Sequence, residues 1–219
     1  MNAFNVEQAR FNMVEQQIRT WEVLDQHVLQ LLFTVKREEF VPPAYRNIAF
    51  ADLEIPLSKN AAMWTPKLEA RVLQELTLGK GDEVLGIGTG SGYFTALLAS
   101  RAASVHSVEV DSGLATTAAA RLARAGFHNV RVEPGDGARG FGDGAYDAIV
   151  LTGSTPILPE RFFEQLKPRG RLFAIVGDAP AMKSRLVTLA APPSRIVSDL
   201  FETVVAPLVN AAQPTRFEF

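Results

Sequence analysis

Five residues near the middle of the chain have the types and spacing of a loop that binds a nucleotide-like ligand. They follow the short apolar segment 83–87, precede a predicted helix, and are Gly88, Thr89, Gly90, Ser91 and Gly92. Glycines suit this position because the backbone must turn sharply and let a ligand approach without a Cβ in the way. We predict that this loop, together with Gly86 and Ile87 just before it, contacts a cofactor.

Two acidic residues lie where the next two predicted strands end. Glu109, followed by Val110, is 21 positions after Gly88, where a carboxylate can accept hydrogen bonds from both ribose hydroxyls or simply be solvated at a strand edge. Asp136, followed by Gly137, comes after the third strand, in a sequence that also suits a plain turn. Because parallel strands end at one edge of a sheet, we predict that these residues share the cofactor site.

Helices and strands alternate through most of the chain. Strands are predicted at 83–87, 104–110, 129–133, 147–152 and 171–176, and helices at 66–78, 91–101, 112–125 and 158–166. This alternation is typical of a Rossmann-like doubly wound α/β sheet with helices on both faces. The last two predicted strands, 185–190 and 198–205, are separated by the turn-prone segment 191–194, so we expect them to pair antiparallel.

The N-terminal part differs from this pattern. Apolar residues recur at three- and four-residue spacing from Val6 to about Arg19 and from Leu24 to about Phe33, which predicts two amphipathic helices. The proline-containing segment 40–57 is predicted to be an irregular, partly extended connection.

These elements predict one domain over residues 1–219. Residues 1–65 would form a helical cap and substrate loop, and residues 66–219 a Rossmann-like cofactor-binding core. Nicotinamide and S-adenosylmethionine sites both use such an adenosine-binding half. A dehydrogenase would need a second half or a substrate domain, whereas an antiparallel C-terminal strand pair is typical of class I S-adenosylmethionine-dependent methyltransferases. We therefore expect S-adenosyl-L-methionine as the cofactor.

Composition argues against several other classes of protein. With 22 basic and 24 acidic residues the net charge is −2, so we expect no nucleic-acid partner. The chain has no cysteine, which excludes disulfides and thiolate metal sites, and its three scattered histidines give no reason to expect a metal. The absence of a long apolar run predicts no export signal and no membrane anchor, hence a cytoplasmic protein. Oligomeric state is left open.

Short segments spread over nearly the whole chain match the pattern of one known family. They are Met13–Ile18, Lys36–Pro42, Ile55–Leu57, Val84–Tyr93, Gly135–Gly137, Tyr146–Thr152, Leu158–Pro159, Gln165–Leu172 and Ala206–Val209. In this combination the chain resembles the protein-L-isoaspartate O-methyltransferases. The resemblance implies methyl transfer from S-adenosylmethionine to the free carboxylate of an isoaspartyl residue in a damaged protein or peptide, after which the ester collapses to a succinimide.

Two positions depart from that family's pattern. An ungapped comparison places Trp64 where members usually carry a serine with a catalytic or substrate-orienting role. The indole could stack on a larger and flatter substrate, fill the pocket, or pack as an anchor of the helical cap. Gly86 stands where the family has an acid that helps to bind the methionine end of the cofactor.

The resemblance places the loop 59–65, which includes Trp64 and Thr65, close to the transferred methyl group together with Thr152. Repair of isoaspartyl residues is the first hypothesis. The alternatives are a methyltransferase of the same fold with a different acceptor, for which Trp64 is the reason, and a non-catalytic cofactor-binding homologue, for which Gly86 and the missing serine are the reasons.

Overall fold

The structure is a computed structural model that describes residues 5–190 and 194–215, so most of the predicted turn at 191–194 lies outside the described residues. Its helices are α1 (Val6–Asn12), α2 (Gln26–Thr34), α3 (Pro66–Leu76), α4 (Tyr93–Ala99), α5 (Ser112–Arg124) and α6 (Glu160–Glu164). Its strands are β1 (Ile55–Ser58), β2 (Ala61–Met63), β3 (Glu83–Ile87), β4 (Ser104–Glu109), β5 (Val130–Pro134), β6 (Tyr146–Thr155), β7 (Leu166–Asp178), β8 (Ala181–Leu189) and β9 (Arg195–Glu202). Within this described part, no helix is long and apolar enough to span a bilayer.

Seven of these strands form one mixed sheet in the order β5-β4-β3-β6-β7-β8-β9. Strands β3 to β7 are parallel, and β8 runs antiparallel to both β7 and β9. The predicted α/β class and the antiparallel C-terminal pair are therefore confirmed. The chain builds β4 and β5 on one side of β3 and then crosses to β6 on the other side. Open α/β sheets bind ligands at such a switch point, outside the carboxyl ends of the strands.

The first predicted helix is less regular than its apolar spacing indicates. Helix α1 ends at Asn12, residues 13–18 form a π-helix, and residues 19–21 form a 3₁₀ turn. Met13 and Ile18 are buried in the same apolar core as α3. Apolar spacing identifies the buried face of a segment, but packing against the rest of the core decides how tightly its backbone winds.

The segment predicted as an irregular connection contains a short hairpin. Residues 43–48 form a 3₁₀ helix, and β1 then pairs antiparallel with β2, with Ile55 opposite Met63. Strands of three and four residues are too short to show a period, which is why the sequence pattern does not reveal them. The hairpin carries the loop 59–65 to the carboxyl edge of the large sheet.

A buried guanidinium joins the cap, the hairpin and α3. Arg37 Nε donates to the Ala49 carbonyl at 2.9 Å, and one terminal nitrogen donates to the Trp64 carbonyl at 2.7 Å. The other terminal nitrogen forms an ion pair with Glu69. Arg37 and Glu69 are 1% and 2% exposed. Burial raises the pKa of the Glu69 carboxyl to about 7, and the charge of Arg37 opposes that rise.

Arg37→Met should destabilise the fold by about 3–5 kcal/mol at pH 8, because the Glu69 carboxylate is left buried without a cation. Without Arg37 the pKa of Glu69 rises further above 4.5, its ordinary value. The folded variant then holds a proton that the unfolded chain releases above this value, so its stability falls as the pH rises from 4.5.

Urea unfolding of the variant and the parent at pH 5 and pH 8 measures this effect. The control is Arg131→Met, because Arg131 is well exposed and its ion pair with Glu133 lies at the surface. The role of the buried charge would be contradicted if Arg37→Met lost as much unfolding free energy at pH 5 as at pH 8. It would also be contradicted if Arg131→Met lost as much as Arg37→Met.

Candidate active site

A cleft runs along the carboxyl ends of β3, β4, β5 and β6. Three adjoining cavities of about 590, 320 and 240 Å³ form it, and all three have Gly88 in their walls. The predicted site residues that line the cleft are Trp64, Ile87, Gly88, Thr89, Gly90, Ser91, Glu109, Val110, Asp136, Gly137 and Thr152. The other three lie just outside: Gly86 is within β3, Gly92 precedes α4, and Thr65 precedes α3.

The loop between β3 and α4 requires glycine at its first position. Gly88 has a φ of 92°, which L-residues rarely adopt. A Cβ added there would collide with the Thr152 hydroxyl oxygen. That hydroxyl donates to the carbonyls of Ile87 and Gly88, each at 2.9 Å. Thr152 therefore occupies the space that the glycine leaves and holds the end of β3.

Glu109 connects the end of β4 to the same loop. One carboxylate oxygen accepts a hydrogen bond from the Gly90 N–H at 2.8 Å, and the other accepts from the Asp111 N–H at 3.1 Å. The side chain is 6% exposed, so its charge faces the cleft rather than bulk water. A carboxylate has about four lone-pair positions, and Glu109 therefore keeps acceptor capacity for two hydroxyl groups.

A narrow apolar slot forms one end of the cleft. Its side chains are Ile87, Val108, Val110, Leu208 and Val209. Gly137 is needed beside it, because an added Cβ would lie 2.7 Å from Ile87 Cδ1. Asp136 is at the rim, where its carboxylate accepts from the Ala138 N–H at 3.0 Å and from the Asn210 amide at 2.8 Å. A flat apolar slot with a carboxylate at its rim suits a purine base that carries an amino group.

A cluster of buried hydroxyl groups lies below the glycine-rich loop. Ser107 Oγ is 2.7 Å from Thr89 Oγ1 and 3.3 Å from Thr95 Oγ1. A Cβ added at Gly86 would lie 3.6 Å from Ser107 Oγ, so this glycine leaves room above the cluster. Ser107 and Thr95 were not predicted from the sequence. Thr95 is a polar residue in the largely apolar helix α4, which was a signal, because a buried polar group is informative. Ser107 had no such signal, since β4 contains other polar residues.

Trp64 packs as an anchor of the hairpin. The centre of its indole is 5.3 Å from that of the Phe94 ring and 6.4 Å from that of the Phe173 ring, and the side chain is 6% exposed. Its exposed edge still lines the cleft. Thr65 accepts a hydrogen bond from the Leu68 N–H at 3.4 Å and so begins α3, with its side chain directed away from the slot.

Further residues of the cleft were missed from the sequence. Glu54 lines its wall on the hairpin side, beside Asn60 of the predicted loop 59–65, and the segment 205–209 closes it on the other. Burial raises the pKa of Glu54. The C-terminal segment is held by Ser154, whose N–H donates to the Ala206 carbonyl and whose own carbonyl accepts from Leu208. The position of Glu54 directly before the Ile55–Leu57 segment was the only signal in the sequence.

The sheet order, the glycine-rich loop and the antiparallel C-terminal strands define a class I S-adenosylmethionine-dependent methyltransferase fold. A putative protein-L-isoaspartate O-methyltransferase from Plasmodium falciparum, solved with S-adenosyl-L-homocysteine, has the same fold with a TM-score of 0.79, at 19% identity over 95% of this chain and 100% of that one. A second solved protein-L-isoaspartate O-methyltransferase matches with a TM-score of 0.76, at 25% identity over 93% of this chain and 65% of that one.

The sequence comparisons identify the family. The model of protein-L-isoaspartate(D-aspartate) O-methyltransferase matches residues 8–213. Protein-L-isoaspartate O-methyltransferase 1 of Rhodopseudomonas palustris is 42% identical over 82% of this chain and 74% of the relative. Protein-L-isoaspartate O-methyltransferase of Brucella anthropi is 35% identical over 96% of this chain and 98% of the relative. The chain belongs to the protein-L-isoaspartate(D-aspartate) O-methyltransferase family, which confirms the resemblance inferred from the sequence.

Gly88→Ala should lower the free energy of unfolding by about 1–3 kcal/mol, because the methyl group would collide with the Thr152 hydroxyl at a backbone conformation unfavourable for alanine. Gly81→Ala is the matched control, since nothing lies within 4 Å of its added Cβ. Gly86→Ala should also be tolerated. Thermal unfolding of the three variants measures the difference, and equal losses in all three would contradict the constraint at Gly88.

Proposed function

We propose that this chain transfers a methyl group from S-adenosyl-L-methionine to the free carboxylate of an L-isoaspartyl residue in a damaged protein or peptide, as the first step of protein repair. Membership of the family over residues 8–213 is the observation that carries this proposal. The cleft supports it, because all the residues predicted to bind the cofactor except Gly86 and Gly92 line its three adjoining cavities.

The residues of the cleft fit the cofactor in shape and polarity. In our proposal the apolar slot holds the adenine with Asp136 at its amino group, and Glu109 accepts the ribose hydroxyls. The methionine part lies in the cavity lined by Gly88, Thr89 and Thr152, where the hydroxyl of Thr89 is a polar neighbour. When bound there, S-adenosyl-L-methionine supplies an electrophilic methyl group on a sulfonium.

The chain's own residues act mainly by alignment and by exclusion of water. An ionised carboxylate is already a nucleophile, so the site needs no strong base. Trp64 and Ala62 present apolar surface to the cleft, and Asn60 adds a side-chain amide at its wall. We propose Thr152 as a positioning residue, because its hydroxyl is committed to the carbonyls of Ile87 and Gly88.

The purified chain should methylate an isoaspartyl peptide and leave the aspartyl peptide of the same sequence unmethylated. Transfer of labelled methyl groups from S-adenosyl-L-methionine measures this directly, and calorimetry with S-adenosyl-L-homocysteine shows whether the cofactor site works. Binding without transfer would favour a different acceptor, and a gain of isoaspartyl activity in Trp64→Ser would then support that alternative. No binding would indicate a protein that keeps the fold but has lost both the cofactor and catalysis.

Glu109→Gln should weaken binding of S-adenosyl-L-homocysteine about 10- to 100-fold, because a charged acceptor is lost and an amide N–H₂ is placed against a backbone N–H. Glu83→Gln is the matched control, since Glu83 begins β3 at the opposite end of the sheet and pairs with Lys167 at the surface. Calorimetry compares the two variants. Unchanged affinity in Glu109→Gln would remove this residue from the proposed site.

We also propose that residues 1–65 act as cap and substrate loop on the core formed by residues 66–219. The buried apolar cluster that runs from Met13 in the cap to Val205 beside the cleft supports one domain. A cytoplasmic location remains a prediction from the composition, with no cysteine among 219 residues as its main support.

A further inference from the structure

A second groove of about 530 Å³ opens beside the cleft, between the start of α3 and the end of β9. We call it the side groove. The residues that matter for its chemistry are Trp21, Glu54, Lys67, Arg71, Phe201 and Glu202. They come from the cap, the segment before β1, α3 and β9, so the groove exists only in the folded chain.

The side groove adjoins the cleft. Glu54 lines both. Trp64 lines the cleft, and its neighbour Thr65 lines the groove. In the same way, Val205 lines the cleft and Val204 lines the groove. An extended polypeptide advances about 3.3–3.6 Å per residue. A substrate whose acceptor carboxylate lies in the cleft therefore reaches the groove with a side chain only a few positions away.

The two cations of the groove are already paired. Lys67 forms an ion pair with Asp52 at 2.6 Å. Arg71 forms ion pairs with Glu22 at 3.0 Å and with Glu75 at 2.8 Å. Neither cation is therefore available as the main partner of an acidic ligand.

The two carboxylates of the groove are not paired in this way. Among the described residues, neither Glu54 nor Glu202 has an ion-pair partner within 4.0 Å. Lys183 lies opposite Glu202 in the sheet, but its ammonium group is 3.7 Å from Asp199. Two carboxylates and two cations line the groove, and the ion-pair partners of the two cations add three more carboxylates beside it. The five carboxylates are Glu22, Asp52, Glu54, Glu75 and Glu202, and the two cations are Lys67 and Arg71. The groove therefore attracts positive charge.

The aromatic side chains of the groove also suit a cationic ligand with an apolar stem. Lys67 Nζ lies 4.0 Å from the centre of the Trp21 ring, and Arg71 Cζ lies 5.7 Å from that of Phe201. Trp21 is still 45% exposed, so much of its ring remains accessible. Lysine and arginine side chains bury their alkyl stems on such surfaces while their charged ends stay near carboxylates.

We propose that the side groove binds a lysine or arginine side chain of the substrate polypeptide, a few residues from the isoaspartyl carboxylate in the cleft. The apolar stem packs on Trp21, and the charged end lies between Glu54 and Glu202. This inference rests on the proposed function. It adds that the enzyme selects among damaged sites by the charge of the flanking sequence.

The test uses the full chain and isoaspartyl peptides of one sequence that carry Lys, Ala or Glu at a single position, two residues before or two residues after the isoaspartate. We expect kcat/KM for the best lysine peptide to exceed that for the matching glutamate peptide about fivefold. The difference should lie in KM and should shrink as salt is added.

Glu202→Lys should abolish or invert this preference, because it reverses the charge of one groove wall outside the cofactor cleft. The matched control is Glu164→Lys, since Glu164 is an exposed helix residue paired with Arg161 and lines neither space. The role of the groove is overturned, and the proposed function stands, if the parent methylates all the peptides equally. The same holds if the preference for lysine survives in Glu202→Lys. No methylation of any isoaspartyl peptide overturns the proposed function and the groove with it.

Discussion

The hairpin side of the cleft depends on the buried guanidinium of Arg37. A guanidinium has five donors and no acceptor, and in an apolar interior each unmatched donor is costly. The native arrangement supplies the carbonyls of Ala49 and Trp64 and the carboxylate of Glu69. These partners come from three different segments, so the cap, the hairpin and α3 must be placed together. Moving one of them alone would leave a buried charge incompletely paired.

The side of the cleft formed by the large sheet is held by a second set of contacts. Thr152 donates to the carbonyls at the end of β3, and Glu109 accepts from the N–H of Gly90. Trp64 belongs to both sides, because its carbonyl binds Arg37 while its ring packs on Phe94. One wall of the cleft is therefore formed by a residue that is held at its backbone and at its side chain.

The charges around the cleft differ between its two ends. Glu109 and Asp136 both use their carboxylates to hold neighbouring backbone or side-chain groups, which fixes their positions in the cleft wall. Glu54 has no such partner among the described residues and lies where the cleft meets the side groove. Carboxylates that already accept hydrogen bonds from the protein have fixed positions and define where a ligand binds. A carboxylate without such partners contributes mainly to the sign of the charge that the site attracts.

Local patterns in the sequence were sufficient for the α/β class, the antiparallel C-terminal strands and the glycine-rich loop after β3. Each of these depends on neighbouring residues: periodicity, turn-forming residues, or glycine where a Cβ cannot fit. The parallel sheet then predicts that Gly88, Glu109 and Asp136 meet, because strands of one direction end at one edge. The walls of the cleft that come from the hairpin and from segment 205–209 show no comparable periodicity or turn pattern in the sequence.

Only the tertiary structure decided what Trp64, Ser107 and Glu54 contact. Trp64 suited a substrate platform or an anchor equally well from its residue type, and its packing against Phe94 and Phe173 comes from distant segments. The Ser107 cluster and the side groove likewise join residues far apart in the chain. Residue type and spacing limit which chemistry a side chain can perform. The neighbours that it meets depend on long-range packing of the whole core, which a local pattern does not encode.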